Sequence, residues 1–150
     1  MPNEAHYRRL ESMHRSAPCN LHYCHGISMT VSEGRAEILL PMRKEFFHAA
    51  EAVHGFLYFK MMDEAGFFAA NSLVEDVFVL TSDFQLSLLR PITAGEMRAV
   101  GEVTYNGKSR IIADTVLYNA EGKQLARGSG SFVRGSSALT SLAGYRGEAA

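Results

Sequence analysis

"AVHGFLYFKMMDEAG", Ala52 to Gly66, decides the reading of this chain. A His-Gly pair opens it, and Lys60 is the one charge in the seven residues that follow. Two adjacent carboxylates, Asp63 and Glu64, come next, and the apolar run resumes through Ala70. This predicts a helix from about His54 to Ala70, apolar nearly all round, and such a helix is a buried one. At about five turns it needs cover on most sides, and a single curved sheet wrapped around it would supply that.

The flanks offer such a sheet. Gly26 to Met42 alternates apolar and polar residues on either side of Ser32-Glu33-Gly34-Arg35, which predicts a hairpin closed by Pro41. Arg43 to Val53 has no period. After the helix, Val74–Leu89, Glu96–Tyr105, Arg110–Tyr118 and Gln124–Val133 read as strands. Pro91 with Gly95, Asn106-Gly107 and Ala120-Glu121-Gly122 supply the turns. The expectation is a four-strand antiparallel meander. Pro2 to Ser16 predicts a short amphipathic helix that docks through Leu10 and Met13 and is stopped by Pro18. The fold class is therefore α+β: a long central helix, a curved antiparallel sheet of about five to six strands and a short N-terminal helix. Residues 1–150 are expected to form one domain, with helix and linker over 1–20 and a weakly ordered Gly-, Ser- and Ala-rich tail over 135–150.

Composition narrows the function. With 15 basic and 16 acidic residues the net charge is -1, which argues against a dedicated nucleic-acid binder. No apolar run reaches the roughly 18 residues of a membrane span, and Met1 to Leu10 lacks a signal-peptide core. Two cysteines are too few for a disulfide scaffold, so a reducing cytoplasm is the expected location. Cys19 to His25 (CNLHYCH) contains metal-ligand residue types, but the spacing matches no strong zinc pattern and no metal is expected.

The element order and the His54-Gly55 pair, with an acid nine positions after the histidine at Asp63, resemble the hotdog fold and its acyl-CoA thioesterase superfamily. The resemblance covers roughly Cys24 to Arg134. The string AVHGFLYFKMMDEAGFFAANS looks closest to a long-chain fatty acyl-CoA thioesterase group. Two positions depart from the pattern. Phe56 stands where members often have a second glycine, and His48 where many carry an asparagine that positions water or thioester. Thr81 matches a serine or threonine on the strand after the helix.

The spacing has a geometric consequence. Nine residues at about 100° each place His54 and Asp63 on opposite helix faces, about 13.5 Å apart along the axis. They can hardly share a site within one subunit, but they can share one across a two-fold axis, where one helix start meets the middle of another. The resemblance implies the same, since family sites lie at dimer interfaces. A homodimer, or a dimer of dimers, is expected.

Thioester hydrolysis needs an oxyanion donor and a base or nucleophile. The Gly55 N–H, at a helix N-terminus, is the expected donor. Asp63 is expected to act as general base on water, or as nucleophile through a mixed anhydride. Asp63 could instead simply pair with Lys60 on a wet helix face, or Glu64, with Lys60 four residues before it, could be the working acid. His54 either joins the site or only anchors the helix start. His48 would replace the family's asparagine as a hydrogen-bond donor, and Thr81 could orient water. Tyr58 and Asn71 read as core and helix-end residues, and Gly66 as a point of close packing. Phe56, Phe59, Phe67 and Phe68 suit a core or a tunnel for a long apolar acyl chain.

The expected function is hydrolysis of a fatty acyl-CoA to free acid and CoA. Coenzyme A is then part of the substrate, and no separate cofactor is implied. Arg90, Arg98, Lys108, Arg110 and Arg127 are candidates for its phosphates. The alternatives are a non-catalytic acyl-CoA-binding hotdog protein, favoured by His48, and a hotdog 3-hydroxyacyl dehydratase or hydratase. Gly55 precedes Asp63 by eight positions, and the hydratase pattern places its glycine about five before the acid.

Overall fold

The computed structural model describes residues 2–148. The N-terminal helix α1 spans Glu4–Ser16. The Asn3 side chain caps it by accepting from the His6 N–H at 3.1 Å. Tyr7, Leu10 and Met13 form its buried face. Ala17, forced to an extended conformation before Pro18, ends it. One π-turn over Cys19–Tyr23 leads to the hairpin of β1 (Ser28–Ser32) and β2 (Arg35–Pro41). Gly34 turns that hairpin with φ +69°.

The central helix α2 runs Gly55–Asn71. Four strands follow: β3 (Val77–Leu88), β4 (Glu96–Asn106), β5 (Ile111–Tyr118) and β6 (Gln124–Ala138). All six strands form one antiparallel sheet in the order β1-β2-β4-β5-β6-β3. The α+β architecture expected from the sequence is present, and the sheet wraps α2 through contacts with all six strands.

The expected four-strand meander is corrected. Only β4, β5 and β6 follow one another; β3 pairs with β6 at the far edge, and β4 returns to lie beside β2. The segment between Leu88 and Glu96, with Pro91 and Gly95, spans the three strand spacings between them, about 14 Å. The weakly ordered tail is corrected too. Residues Gly135–Ala138 complete β6, and Leu139 and Tyr145 are buried against α1. The Tyr145 hydroxyl lies 2.9 Å from the His6 ring. Residues 149–150 of that expectation lie outside the described residues.

Leu57, Met61, Met62 and Ala65 of α2 are wholly buried. The helix lies so close to the sheet that a Cβ on Gly101 of β4 would strike the Ala65 backbone. Gly66 completes the fit, since a Cβ there would stand 3.1 Å from both Phe132 and Thr115. Close packing is therefore the reason for a glycine inside α2. Among the described residues no helix is long and apolar enough to cross a membrane.

Candidate active site

The sequence-predicted residues fall into two groups at different heights of α2. The first is at its N-terminus. His54 is the N-cap, and its ring Nδ1 accepts from the Phe56 N–H at 2.9 Å. The Leu57 N–H bonds back to the His54 carbonyl at 3.1 Å. The Gly55 N–H donates to no group within the described residues. Histidine thus takes the neighbouring donor and leaves the glycine donor open at the positive end of the helix. His48 lies in the preceding loop, with its ring centroid 6.3 Å from that of His54. Its Nδ1 accepts from the Ala50 N–H at 3.0 Å, which leaves Nε2 as the ring atom free to meet a ligand.

A cleft of about 280 Å³ opens beside this group. His48, Gly55, Tyr58 and the segment from Leu88 to Pro91 line it. The Tyr58 hydroxyl donates to the Arg90 carbonyl at 2.7 Å and so fixes one wall. The cleft continues through Leu89 and Arg90 into a groove bordered by Lys123 and Gln124.

The second group is in the third turn. Asp63 is half-buried and accepts a hydrogen bond from the Thr81 hydroxyl of β3 at 2.8 Å. A bulge between Thr81 and Asp83 breaks the β3 register there, the kind of irregularity that re-aims a side chain. Burial pushes the Asp63 carboxyl above the usual aspartate range; the Thr81 bond opposes this and the Glu64 charge adds to it. Asp63 does not pair with Lys60. The Lys60 ammonium goes to Glu64 at 2.6 Å and to the Asn20 side chain at 2.6 Å.

Glu64 is held differently. It also meets the buried His14 ring of α1 at 3.2 Å. Burial alone would raise its carboxyl, but the His14 and Lys60 contacts outweigh that and hold it below the usual glutamate range. The Lys60–Glu64 spacing is visible in the chain; the role of His14 and Asn20, 40 to 50 residues away, has no local signal. Asn71 is structural: its side chain accepts from Val79 N–H and donates to the carbonyls of Val74 and Val77. In the Cys19–His25 cluster, Cys24 is buried in the core and Cys19 is exposed.

Within one chain the structure brings together His48, His54 and Gly55, and separately Asp63 and Thr81. The two groups open into different cavities.

One long helix wrapped by an antiparallel sheet defines the hotdog fold. The family model of the thioesterase superfamily matches residues 51–126, and the chain belongs to that superfamily. Among its relatives, the protein SSO2140 of Saccharolobus solfataricus, whose name assigns it as an esterase, is 25% identical over 104 residues. That match covers 69% of this chain and 74% of the relative. The E. coli PaaI protein from the phenylacetic acid degradation operon shares the fold with a TM-score of 0.80 at 21% identity, over 90% of this chain and 96% of PaaI. The BH2602 protein of Bacillus halodurans, solved with CoA, aligns at 28% identity and TM-score 0.62 over 65% of each chain.

Proposed function

We propose that this protein hydrolyses fatty acyl-CoA thioesters at a site shared by two subunits. The observation that carries the reading is the Asp63–Thr81 pair. It is a half-buried carboxylate with no direct ion pair, raised by burial toward the pKa of a useful base and oriented by one hydroxyl donor. The open Gly55 N–H supports it, as an oxyanion donor that a side chain would crowd: a Cβ there would lie 3.3 Å from Leu88. The CoA-bound relative supports coenzyme A as the leaving group. The groove that runs from Gly55 past Arg90 to Lys123 offers two cations to its phosphates.

A second subunit completes this site. β3 is an edge strand of 12 residues, long for an uncovered edge. Leu80 and Leu88 on it are 51% and 54% exposed, and Phe56 and Phe59 on α2 are 43% and 41% exposed. Pairing two β3 edges about a two-fold axis covers these residues and brings the Asp63 of one subunit toward the Gly55 of the other. The thioester carbonyl then lies against the Gly55 N–H. A water deprotonated by Asp63 attacks its carbon, or Asp63 itself attacks to form a mixed anhydride that water then hydrolyses to free acid and aspartate; on either route the C–S bond breaks, and the CoA thiolate leaves and takes up a proton. Oxygen-labelled water in a single turnover tests the anhydride route, because label enters the Asp63 carboxylate only if an anhydride forms and water opens it at the Asp63 carbon.

The test is release of free thiol from acyl-CoA by the purified protein, with the solution mass measured in parallel. Turnover by a dimer or larger assembly is expected. Tight acyl-CoA binding without thiol release would instead make this a binding protein, and full activity in a monomer would overturn the shared site.

A further inference from the structure

Asp63 opens into a cavity that the proposed chemistry at Gly55 does not use. One side of this cavity is not built from the helix and sheet at all. Met13, His14 and Ala17 of the N-terminal segment form it, facing an aromatic wall of Phe67, Phe68 and Phe78. Phe67 packs against both Phe68 and Phe78, with ring centroids 5.1 and 4.8 Å apart. The cavity, open on one side, has a volume of about 220 Å³.

Besides Asp63, three polar side chains border this space, His14, Asn20 and Glu64, and each is hydrogen-bonded. Glu64 is bound by Lys60 and His14, Lys60 reaches the Asn20 Oδ1, and the Asn20 Nδ2 donates to the His14 carbonyl at 2.7 Å. These contacts close into a ring that joins α1, the following π-turn and α2. The ring has two effects. It pairs the Glu64 carboxylate at the cavity wall with Lys60 and His14, which lowers the cost of placing apolar matter beside it. It also pins α1 at a fixed distance from α2, so that the wall is rigid and the cavity has a definite depth.

Resting on the thioesterase reading above, we propose that this cavity is the acyl pocket, with α1 as its outer wall. Its occupant is an unbranched apolar acyl chain of medium length. The thioester carbon must stay at the mouth, beside Asp63, while CoA departs along the groove at Gly55. The chain is then the part of the substrate that enters. A methylene is close to water in size, and 220 Å³ divided by water's share of about 30 Å³ leaves room for roughly seven such groups. With the carboxyl carbon outside, the acyl group has roughly eight carbons. This narrows the long-chain expectation drawn from the Phe- and Met-rich helix.

The test is a panel of straight-chain acyl-CoA substrates from acetyl to palmitoyl, with benzoyl-CoA added, on the full-length protein. The wild type is expected to show its highest kcat/KM near octanoyl. Ala17→Phe fills the pocket from the α1 side. It should lower the octanoyl-to-acetyl ratio of kcat/KM about tenfold, chiefly through KM, as lost methylene contacts do. Ala120→Ser, in the exposed turn before β6 and away from the cavity, should keep the wild-type ratio. Phe78→Leu deepens the pocket and should move the optimum to a longer chain, a gain that misfolding cannot mimic. Circular dichroism melting confirms that each variant is folded. A wild-type optimum at acetyl, palmitoyl or benzoyl, or folded variants that leave the optimum in place, would overturn the acyl pocket and leave the thioesterase reading standing. Failure of the wild type to release thiol from any acyl-CoA would remove both.

Discussion

Asp63 and Glu64 are neighbours in the chain and face different worlds across the third turn of α2. Asp63 looks toward β3 and receives one neutral donor, Thr81. Glu64 looks toward α1 and is held by a lysine and a histidine. Their carboxyl groups are driven in opposite directions, Asp63 up by burial and Glu64 down by its partners despite burial. A carboxylate held by two side-chain partners is spent on holding elements together. One raised by burial and steered by a hydroxyl is still available for a proton. Pairs of titratable groups whose surroundings push them apart mark the division between structure and chemistry, and the proposed function places that division between two consecutive residues.

Substitution of each acid separates the roles most sharply. Asp63→Asn keeps the Thr81 contact and removes the charge, and should lower kcat by about 10² to 10⁴ with substrate binding within a few-fold. The same change should raise Tm. Because burial raises the folded pKa, the ionised form is the costly one; that stabilising contribution of protonation is present below the ordinary aspartate pKa and lost as pH rises through the folded value. An uncharged Asn escapes this cost at neutral pH. Thermal melting and steady-state kinetics on one preparation check both halves.

Glu64→Gln should do the reverse. It breaks charged hydrogen bonds to Lys60 and His14 and should cost about 1.5–3 kcal/mol of stability, measured by urea unfolding, while kcat changes little. The sign of its pH dependence also differs. The folded Glu64 pKa is depressed, so its contribution is present above the ordinary glutamate value and disappears as pH falls through the folded one. The variant should lose that acid-side slope. A dead Glu64→Gln enzyme beside an active Asp63→Asn one would reverse the assignment.

The smallest effect concerns Thr81. Thr81→Val removes a single donor to Asp63 and should lower kcat about fivefold, the worth of one hydrogen bond. Since that bond holds the Asp63 carboxyl down, its loss should move the acid limb of the kcat pH profile to higher pH. The groups facing Asp63 are Thr81, Glu64 and Lys60, so a parallel profile on Glu64→Gln controls for the neighbouring charge.

The sequence carried some of this and hid the rest for physical reasons. The buried helix was legible because Phe56 to Met62 has no polar face, and the hairpins because Gly34, Gly107 and Gly122 fall between alternating runs. The place of β3 was not legible, since no periodicity says which edge a strand joins once a connection is long enough to cross a sheet. For the candidate site, the nine-residue spacing from His54 to Asp63 showed that one subunit separates them. The match of Thr81 to a family position pointed to the residue that meets Asp63. His14, Asn20 and Ala17 were hidden, because a histidine on the apolar face of a short helix looks like any core residue until α1 is folded against α2. The buried tail was missed for a related reason: its Gly and Ser residues mask the two large side chains, Leu139 and Tyr145, that anchor it.

The central claim is that Asp63 of one subunit works with Gly55 of the other. Subunit mixing tests it most directly. Gly55 is the first residue of α2 and follows an extended His54, a position where proline is tolerated. Gly55→Pro therefore deletes the proposed oxyanion donor while preserving the helix, and alone should lower kcat about 10² to 10³. Asp63→Asn alone is also expected to be inactive. Unfolded, mixed in equal amounts and refolded together, the two variants form hybrid dimers in which one site carries both defects and the other carries neither. Random pairing of subunits about a two-fold axis then predicts recovery of about a quarter of wild-type activity. No recovery, with hybrid dimers shown to be present, would place Asp63 and Gly55 in the same subunit's site and contradict the account.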